Sequence, residues 1–334
     1  MPAVTMTTPA PSGAGNFLRP QTPRHLLGLE GMSRAELLEI LQDAQRYRDL
    51  LDGPGIAVRE LEGVTVCNAF FEGSTRTRIS FELSEERLGA TTVSFSSIDS
   101  STAKGESLLD TLRVIQSMRV DLLVVRHASS GACAFLARHL EAGVINGGDG
   151  QHEHPTQGLL DLLTLRQVWQ GWFEGRRIAI VGDISHSRVA RSAIHGLRSM
   201  GTDVTVTGPP TLLPIGIEEL GVSVAPTVED AMRGADAVMG LRLQRERMEQ
   251  GLLASPGEYS RVWGINAARV ELMKPEAVVL HPGPVNRGVE LASDVMDGPR
   301  SVIFEQVTNG VAVRCAVLKR CAAAMGLPGG RGAL

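Results

Sequence analysis

The sequence predicts an α/β protein with two domains, each a mainly parallel sheet flanked by helices. Short apolar runs alternate with longer helical patterns along most of the chain. This alternation is typical of βα units, in which helices cover both faces of a parallel sheet. The length of 334 residues suits two domains of ordinary size, each with its own core.

Composition and charge exclude several classes of protein. The formal net charge is -4, basic residues are scattered and aromatic residues make up only 4%, so no nucleic-acid surface is expected. No apolar stretch approaches the ~20 residues of a membrane span. The cysteines show neither metal-type pairing nor a disulfide-dense pattern, which favours the reducing cytoplasm and buried thiols. They are Cys67, Cys133, Cys315 and Cys321.

The first elements belong to one domain. Residues 1–20 lack the features of a signal peptide and are expected to form a disordered tail. A capping box from Ser33 to Glu36 predicts an amphipathic helix to about Leu50. We assign residues 21–157 to this domain. Its predicted strands are Val64–Phe70, Thr91–Phe95, Asp121–Val125 and Gly143–Ile145.

A helix from His154 to about Gln170 leads into the second domain, residues 158–307. The final helical pattern, residues 308–326, follows the second sheet, and we expect this helix to return to the first domain. The predicted strands of the second domain are Arg177–Val181, Asp203–Thr207, Ala237–Gly240, Val262–Ile265 and Ala277–Leu280.

Arginine in the first turn of a helix is the most unusual local feature. Ser74 follows a strand and the turn Glu72–Gly73, and is the predicted N-cap of a helix ending at Gly89. The positive helix N-terminus disfavours Arg76 unless an anion binds there. Free N–H groups, hydroxyls and a guanidinium together form a cradle for phosphate. The hydroxyls belong to Ser74, Thr75 and Thr77.

The same helix offers an ordinary alternative. Arg78 and Glu82 are four residues apart, a spacing that forms surface ion pairs, and for Arg78 alone this interpretation is preferred. Ile79, Leu83 and Leu88 supply its apolar positions.

Polar residues follow the strands of the first domain, where ligands bind in open α/β sheets. Arg126 follows the third strand, and the segment 146–150 follows the fourth. With Pro155 at the first helical position, His154 is the N-cap and Gln157 leaves the same helix end. A histidine cap and a capping-box glutamine are the alternatives. Because His154 and Gln157 should open onto the same crevice as Arg126 and the phosphate cradle, we prefer a role for them in ligand binding.

The second domain adds arginines at equivalent places. Gly182 stands without the other glycines of a dinucleotide motif, which argues against NAD. The charge run 245–247 is typical of a solvated face. Arg188, Arg242 and Gln244 follow strands directly. Because guanidinium groups bind carboxylates through paired hydrogen bonds, these residues suggest a small dicarboxylate as second substrate.

The loop after the last strand has few donors. Pro282 and the next proline carry no N–H, so the carbonyls of Pro282 and Gly283 could accept hydrogen bonds from an amide NH2.

Several motifs in family order show that the chain resembles the catalytic chains of aspartate carbamoyltransferases. The ornithine enzymes carry a His-Cys-Leu-Pro loop where this chain has His281-Pro282-Gly283-Pro284, so aspartate is the better substrate. The matching motifs are S-T-R-T-R from Ser74, K-G-E from Lys104, R-H at Arg126, H-P-T-Q from His154, H-S-R ending at Arg188, R-x-Q-x-E-R from Arg242 and H-P-G-P-V-N-R-G from His281.

The resemblance implies roles for these residues, with no cofactor and no metal. The phosphate of carbamoyl phosphate would bind Ser74, Thr75, Arg76, Thr77 and Arg126. Its carbonyl oxygen would meet Thr77, Arg126 and His154. Its NH2 would donate to Gln157 and to the carbonyls of Pro282 and Gly283. L-Aspartate would bind Lys104, Arg188, Arg242 and Gln244. The residues implied in catalysis are Arg76, Thr77, Lys104, Arg126 and His154.

The resemblance also implies a homotrimer with shared sites, in which Lys104 and Ser100 reach a neighbouring subunit. Ser101 is the alternative to Ser100. A dihydroorotase or a regulatory chain is a possible partner. Two other functions stay open: a transcarbamylase for another amino acid, and a non-catalytic anion-binding scaffold in a pyrimidine-pathway assembly.

Overall fold

The computed structural model describes residues 23–53, 58–96, 106–243 and 255–327. The predicted disordered tail, Ser100, Ser101, Lys104 and Gln244 lie outside these ranges. Within them no helix is both long and apolar enough to cross a bilayer.

The first sheet has four parallel strands in the order β2-β1-β3-β4. All four were predicted. The last runs beyond Ile145, because the register shifts between Val125 and His127 and pairing then resumes. The predicted loop residues Asn146 and Asp149 therefore lie in the strand. The strands are β1 (Thr65–Phe70), β2 (Thr91–Ser96), β3 (Leu122–His127) and β4 (Gly143–Asp149).

Two helices of the first domain begin at their predicted caps, Ser33 and Ser74. The capping box is present, with Ser33 accepting from the Glu36 amide and the Glu36 side chain accepting in return. Of the apolar positions of the Ser74 helix, Leu88 is buried, whereas Ile79 and Leu83 are 46% and 37% exposed. Phe81 and Ser84 supply the rest of its buried face. The helices are α1 (Arg34–Leu51), α2 (Thr75–Arg87), α3 (Leu108–Ser117) and α4 (Ala132–Ala137).

The second sheet has five parallel strands in the order β7-β6-β5-β8-β9. The predicted strand Val262–Ile265 is wrong. A helix capped by Ser255 extends to Trp263, Gly264 ends it, and Ile265 forms only an isolated bridge with Leu291. The two-residue β7 was too short to be predicted. The strands are β5 (Arg177–Val181), β6 (Asp203–Thr207), β7 (Ser223–Val224), β8 (Ala237–Gly240) and β9 (Val278–Leu280).

Two long helices join the domains. The first follows β4 and is buried from Pro155 to Leu165. The last begins at Ile303, five residues before its predicted start, and packs on α1, α2 and the first of these two helices, so the C-terminal helix returns to the first domain as expected. The remaining helices are α5 (Pro155–Val168), α6 (Arg188–Met200), α7 (Val228–Met232), α8 (Pro256–Trp263), α9 (Ala267–Val270), α10 (Ser293–Met296) and α11 (Ile303–Ala324).

The largest core cluster is continuous between the two sheets. Side chains of α1, α5, α6 and α11 meet residues of β1, β3, β5 and β8 in this cluster. Separate clusters cover the other face of the first sheet and the other face of the second. All four cysteines are buried and free, as predicted. The shared core fixes α5 and α11, and these two helices form part of the wall of the site.

Candidate active site

A cavity of ≈ 560 Å³ lies where the carboxyl ends of strands from both sheets face each other. It collects predicted site residues from both domains. Those that line it are Ser74, Thr75, Arg76, Thr77, Arg126, His154, Gln157, Arg188, Arg242, Pro282 and Gly283. The remaining predicted site residues, Ser100, Lys104 and Gln244, lie outside the described ranges.

The N-terminus of α2 opens into this cavity without a side-chain cap. Ser74 is the N-cap residue, yet its hydroxyl makes no capping bond, and the first turn carries no acidic residue. By contrast, the cap serines of α1, α3 and α8 each accept a bond from their own helix. First-turn N–H groups of α2 are thus available to an anion.

The two arginines in the first turn of α2, Arg76 and Arg78, have separate environments. Burial lowers the pKa of Arg76, and the nearby charge of Arg242 lowers it further. Arg78 points to solvent, and its Nε lies 3.8 Å from Glu82 Oε1, which confirms the predicted surface pair. Arg76 is therefore the arginine that the anion would compensate.

His154 lies at the uncapped start of α5 and is 5% exposed. Its backbone N–H donates to Ser192 Oγ at 2.9 Å, which fixes this end of the helix. Burial holds the pKa of His154 well below its usual value, and the charges of Arg126, Arg188 and Arg314 lower it further. The imidazole is therefore neutral at physiological pH, so it can donate one hydrogen bond without carrying a charge.

Gln157 does not form the alternative capping box. Its Nε2 donates to Asp161 Oδ1 at 2.9 Å, one turn along α5. The side chain is thus held along the cavity wall instead of folding back on the His154 backbone.

Glu72 is a site residue that sequence reasoning missed, because it was interpreted only as part of a turn. Arg188 donates to both of its oxygens, from Nη1 at 3.0 Å and from Nη2 at 2.9 Å. Arg126 Nη2 also donates to Oε1 at 3.3 Å. One carboxylate of the first domain therefore holds an arginine from each domain at the cavity.

Arg314 is a second missed residue, a charged side chain inside the apolar run of α11. It is 3% exposed, its Nη1 donates to Gly310 O at 2.7 Å, and its guanidinium lies 5.0 Å from the Phe81 ring centroid. Burial lowers the pKa of Arg314 to about 10. Five arginines line the cavity, and among its described lining residues Glu72 is the one carboxylate. Such a cavity favours polyanionic ligands.

The loop after β9 is fixed by its own backbone. His281 N–H donates to Gln306 Oε1 at 2.9 Å, and Gly283 N–H donates to His281 Nδ1 at 2.9 Å. Because both neighbouring prolines lack an N–H, carbonyl oxygens are the polar backbone groups left for a ligand.

Outside the cavity, the described part of the chain has one group of side chains with the spacing of metal ligands. Its members are Glu30, His152 and Glu153, whose ligand atoms lie within 4.8 Å of one another. The Glu153 carboxylate already accepts from the Leu29 and Glu30 amides at 2.7 and 3.0 Å and from Ser192 Oγ at 2.8 Å. Its bonds tie the N-terminal segment to α6, which is a structural role.

Two family models match most of the chain. Residues 24–167 match "Aspartate/ornithine carbamoyltransferase, carbamoyl-P binding domain", and residues 174–321 match "Aspartate/ornithine carbamoyltransferase, Asp/Orn binding domain". These matches follow the division between the two sheets.

Curated relatives are similar over nearly their full length. The aspartate carbamoyltransferase catalytic subunit of Gluconobacter oxydans is 55% identical, covering 90% of this chain and 96% of the relative. That of Magnetococcus marinus is 53% identical, covering 89% and 92%.

Solved structures agree in fold. Aspartate transcarbamoylase from Trypanosoma cruzi in complex with carbamoyl phosphate and aspartate has a TM-score of 0.79 at 31% identity, covering 90% of this chain and 98% of that one. Ornithine carbamoyltransferase from Pyrococcus furiosus has a TM-score of 0.79 at 28% identity, covering 93% and 98%. The fold therefore does not distinguish the two amino acids, and the chain belongs to the aspartate/ornithine carbamoyltransferase family.

Proposed function

We propose that the chain is an aspartate carbamoyltransferase, a transferase that converts carbamoyl phosphate and L-aspartate to N-carbamoyl-L-aspartate and phosphate. The observation that carries the proposal is a single cavity joining the uncapped α2 N-terminus to Arg188 and Arg242 of the second domain. The names of relatives at 53–55% identity support aspartate as the amino acid. Such a product fits the biosynthesis of pyrimidines.

Carbamoyl phosphate would occupy the first-domain side of the cavity. Its phosphate would accept from the α2 first turn and from Arg76 and Arg126. Its carbonyl oxygen would accept from Thr77, Arg126 and neutral His154. Preorganised donors at this oxygen stabilise the charge that develops on it in the transition state. Its NH2 would donate to Gln157 and to the carbonyls of Pro282 and Gly283.

L-Aspartate would bind opposite, with its α-carboxylate on Arg188 and its β-carboxylate on Arg242 and Gln244, and with Lys104 nearby. Its neutral amine would then attack the carbonyl carbon and a tetrahedral oxyanion would form. As the C–O bond to phosphate breaks, the amine proton would pass to the departing phosphate. Holding both substrates in one cavity lowers the barrier by several kcal/mol through proximity. The reaction requires no nucleophilic side chain.

Carbamoyl transfer by the full-length protein tests this proposal, with aspartate, ornithine and other amines assayed in parallel. We expect turnover with aspartate. Activity confined to ornithine or another amine would replace it with the alternative transcarbamylase. An absence of activity with every amine, in protein that still binds phosphate, would favour the non-catalytic scaffold.

We also propose a homotrimer with sites shared between subunits, in which Ser100 and Lys104 reach the neighbouring cavity. Ile79, Leu83 and Val93 are 46%, 37% and 43% exposed on α2 and β2. β2 is an edge strand, and Ser94 Oγ on it donates to Glu82 Oε1 of α2 at 2.6 Å. This apolar edge directly precedes the segment that contains Lys104, so a second copy could cover it and receive that segment.

Mixing inactive chains tests the shared site. A Lys104→Ala chain and a His154→Ala chain are co-refolded, and with random 1:1 mixing roughly a quarter of the sites pair two intact halves. We expect activity far above either parent, because each substitution removes transition-state contacts. Hybrids as inactive as the parents, despite demonstrated subunit exchange, would mean that Lys104 acts within its own chain.

Location, domains and further partners complete the proposal. Free buried cysteines support a cytoplasmic protein. Residues 21–157 with helix 308–326 would bind carbamoyl phosphate, and residues 158–307 would bind aspartate, a division that the two family models support. A regulatory chain or a dihydroorotase stays a possible partner.

A further inference from the structure

A buried carboxylate connects the two sides of the cavity that would recognise the carbamoyl NH2. Asp161 on α5 is 2% exposed, and its Oδ1 accepts from Gln157 Nε2 at 2.9 Å and from Gln306 Nε2 at 2.7 Å. Gln306, on α11, accepts in turn from the His281 N–H at 2.9 Å. A continuous chain of hydrogen bonds thus runs from Gln157 to the loop of Pro282 and Gly283.

The fixed backbone donor determines every orientation in this chain. The His281 N–H can only donate, so Gln306 meets it with its oxygen and turns its NH2 toward Asp161. Asp161 Oδ1 is therefore an acceptor. The group of Gln157 that meets the same oxygen must also be its NH2. Gln157 Oε1 is left for the cavity, and no donor in the described part of the chain is bonded to it.

We propose that Asp161 is a positioning residue that makes the cavity wall an acceptor at the carbamoyl NH2, and so selects a substrate with an NH2 over one with a methyl group there. The inference rests on the proposed function. The oxygen and NH2 of a glutamine amide are nearly equal in size, so only its hydrogen-bond partner decides which of them faces the ligand.

The role needs an oxygen at this position and does not need its charge. Asp161 Oδ2 is buried without a hydrogen-bond partner among the described residues. Burial raises the pKa of Asp161 to about 7, against the opposing hydrogen bonds from Gln306 and Gln157. Whether or not Oδ2 carries a proton, Oδ1 still accepts from both glutamines. An asparagine would supply the same acceptor.

Two stable analogues measure the selection directly. Phosphonoacetamide and acetonylphosphonate differ only in NH2 against CH3, and each is titrated calorimetrically into the full-length protein. We expect the parent to bind the amide roughly tenfold or more tightly than the ketone. In Asp161→Leu the preference should fall below about threefold, while the affinity for inorganic phosphate changes by less than about twofold. Asp161→Asn should keep the parent preference.

Thr164→Val is the matched control. Thr164 Oγ1 accepts from Asn309 Nδ2 at 2.9 Å, so the substitution also removes a buried hydrogen bond between α5 and α11. Thr164 is not hydrogen-bonded to Gln157 in the described part of the chain. Its preference should equal that of the parent. Gln306→Met removes the hydrogen bond to the His281 N–H and should lower the preference for the amide by more than about twofold. This variant replaces Asp161→Leu in the test if Asp161→Leu does not fold.

Three results would overturn the inference: no preference in the parent, an unchanged preference in Asp161→Leu or Gln306→Met, or a preference lost in Asp161→Asn. Because no turnover is measured, these results are independent of the amino-acid substrate. If the parent prefers the amide but does not carbamoylate aspartate, the proposed function fails while the role of Asp161 stands.

Discussion

The two sides of the cavity are held in different ways. We call Ser74–Thr77, Arg126, His154 and Gln157 the carbamoyl half, and Arg188 with Arg242 the amino-acid half. Most of the carbamoyl half rests on helix ends, the backbone and buried amides, as when Arg126 Nη1 donates to Gly147 O at 3.1 Å. In the amino-acid half, Arg188 also donates to a backbone carbonyl, Gly150 O at 3.2 Å, but its paired bonds go to both oxygens of the Glu72 carboxylate, to which Arg126 donates only once.

The difference suggests different costs of binding. Groups that are already fixed lose little entropy when a ligand arrives, so the carbamoyl half is preorganised for its substrate. A carboxylate of the amino acid must instead join or displace Glu72 at Arg188. We therefore expect substitutions to separate the two halves, with phosphate affinity following one set of residues and amino-acid affinity the other.

Arg76→Ala should have the largest effect. Losing a guanidinium on the phosphate should weaken carbamoyl phosphate binding by about 2–4 kcal/mol, or roughly 30- to 1000-fold. The thermal midpoint should stay near that of the parent, since Arg76 opposes its own helix dipole and therefore contributes little to stability. Calorimetry with phosphonoacetamide measures the first quantity and scanning calorimetry the second.

Arg78→Ala is the control on the same helix, because in the described part of the chain its side chain forms an ion pair with Glu82 at the surface and does not line the cavity. Surface pairs contribute little, so both affinity and midpoint should stay near the parent values. An Arg76→Ala protein that melts well below the parent but binds phosphonoacetamide normally would show that the cradle is structural.

Glu72→Gln tests whether one carboxylate belongs to both halves. A glutamine retains one acceptor oxygen but loses the charge between Arg126 and Arg188. Hydrogen bonds to charged groups contribute about 1.5–3 kcal/mol, so kcat/KM for aspartate should fall roughly ten- to a hundredfold. Phosphonoacetamide affinity should change less than about threefold. Glu82→Gln, on the outer face of α2, is the control.

Equal losses for both substrates in Glu72→Gln would mean that Glu72 supports the whole cavity. A gain in aspartate affinity would show that Glu72 acts mainly as a competitor for Arg188. Either result would mean that Glu72 does not act mainly by positioning Arg188 for the amino acid.

Arg242→Ala should affect the amino-acid half alone. This side chain is proposed to bind only the β-carboxylate, so the KM for aspartate should rise roughly ten- to a hundredfold. Its charge also lowers the pKa of Arg76. Arg76 stays protonated with or without this charge, because guanidinium groups do not lose their proton in proteins, so phosphate affinity should stay within about threefold of the parent. Initial-rate kinetics with each substrate varied in turn decides between this outcome and equal weakening of both.

Much of this arrangement could be predicted from local sequence. Strand ends, helix caps and the residues after them placed eleven predicted site residues at one cavity, because parallel strands bring their carboxyl ends to the same edge. Sequence reasoning missed site residues whose role depends on contacts between distant parts of the chain. Glu72 looks like any turn residue, and its function depends on Arg188, 116 positions away.

One strand assignment failed for a similar reason. The apolar end of α8 was mistaken for a strand because Val262 and its neighbours fit either pattern over a short run. Ile79 and Leu83 have helical spacing, yet they face outward in the single chain. Apolar periodicity shows which face is covered, but cannot say whether the cover is the same chain or another subunit.

The smallest effect concerns the protonation of His154 in the carbamoyl half. Burial and three arginines hold its pKa well below the unfolded value of about 6.5. The unfolded chain therefore binds a proton first as the pH falls. The stability that neutral His154 supports is full above pH 6.5 and is lost below it, by about 1.4 kcal/mol for each pH unit.

His154→Gln should remove this contribution. Between pH 7.5 and 5.5 the thermal midpoint of the parent should fall by about 2 °C more than that of the variant, as expected for a protein of this size. His139→Gln, at an exposed histidine, is the control and should follow the parent. Identical acid sensitivity in the parent and in His154→Gln would mean that His154 accepts a proton easily in the folded state. The carbamoyl half would then admit water and counterions, and its donors would be less preorganised than those of the amino-acid half.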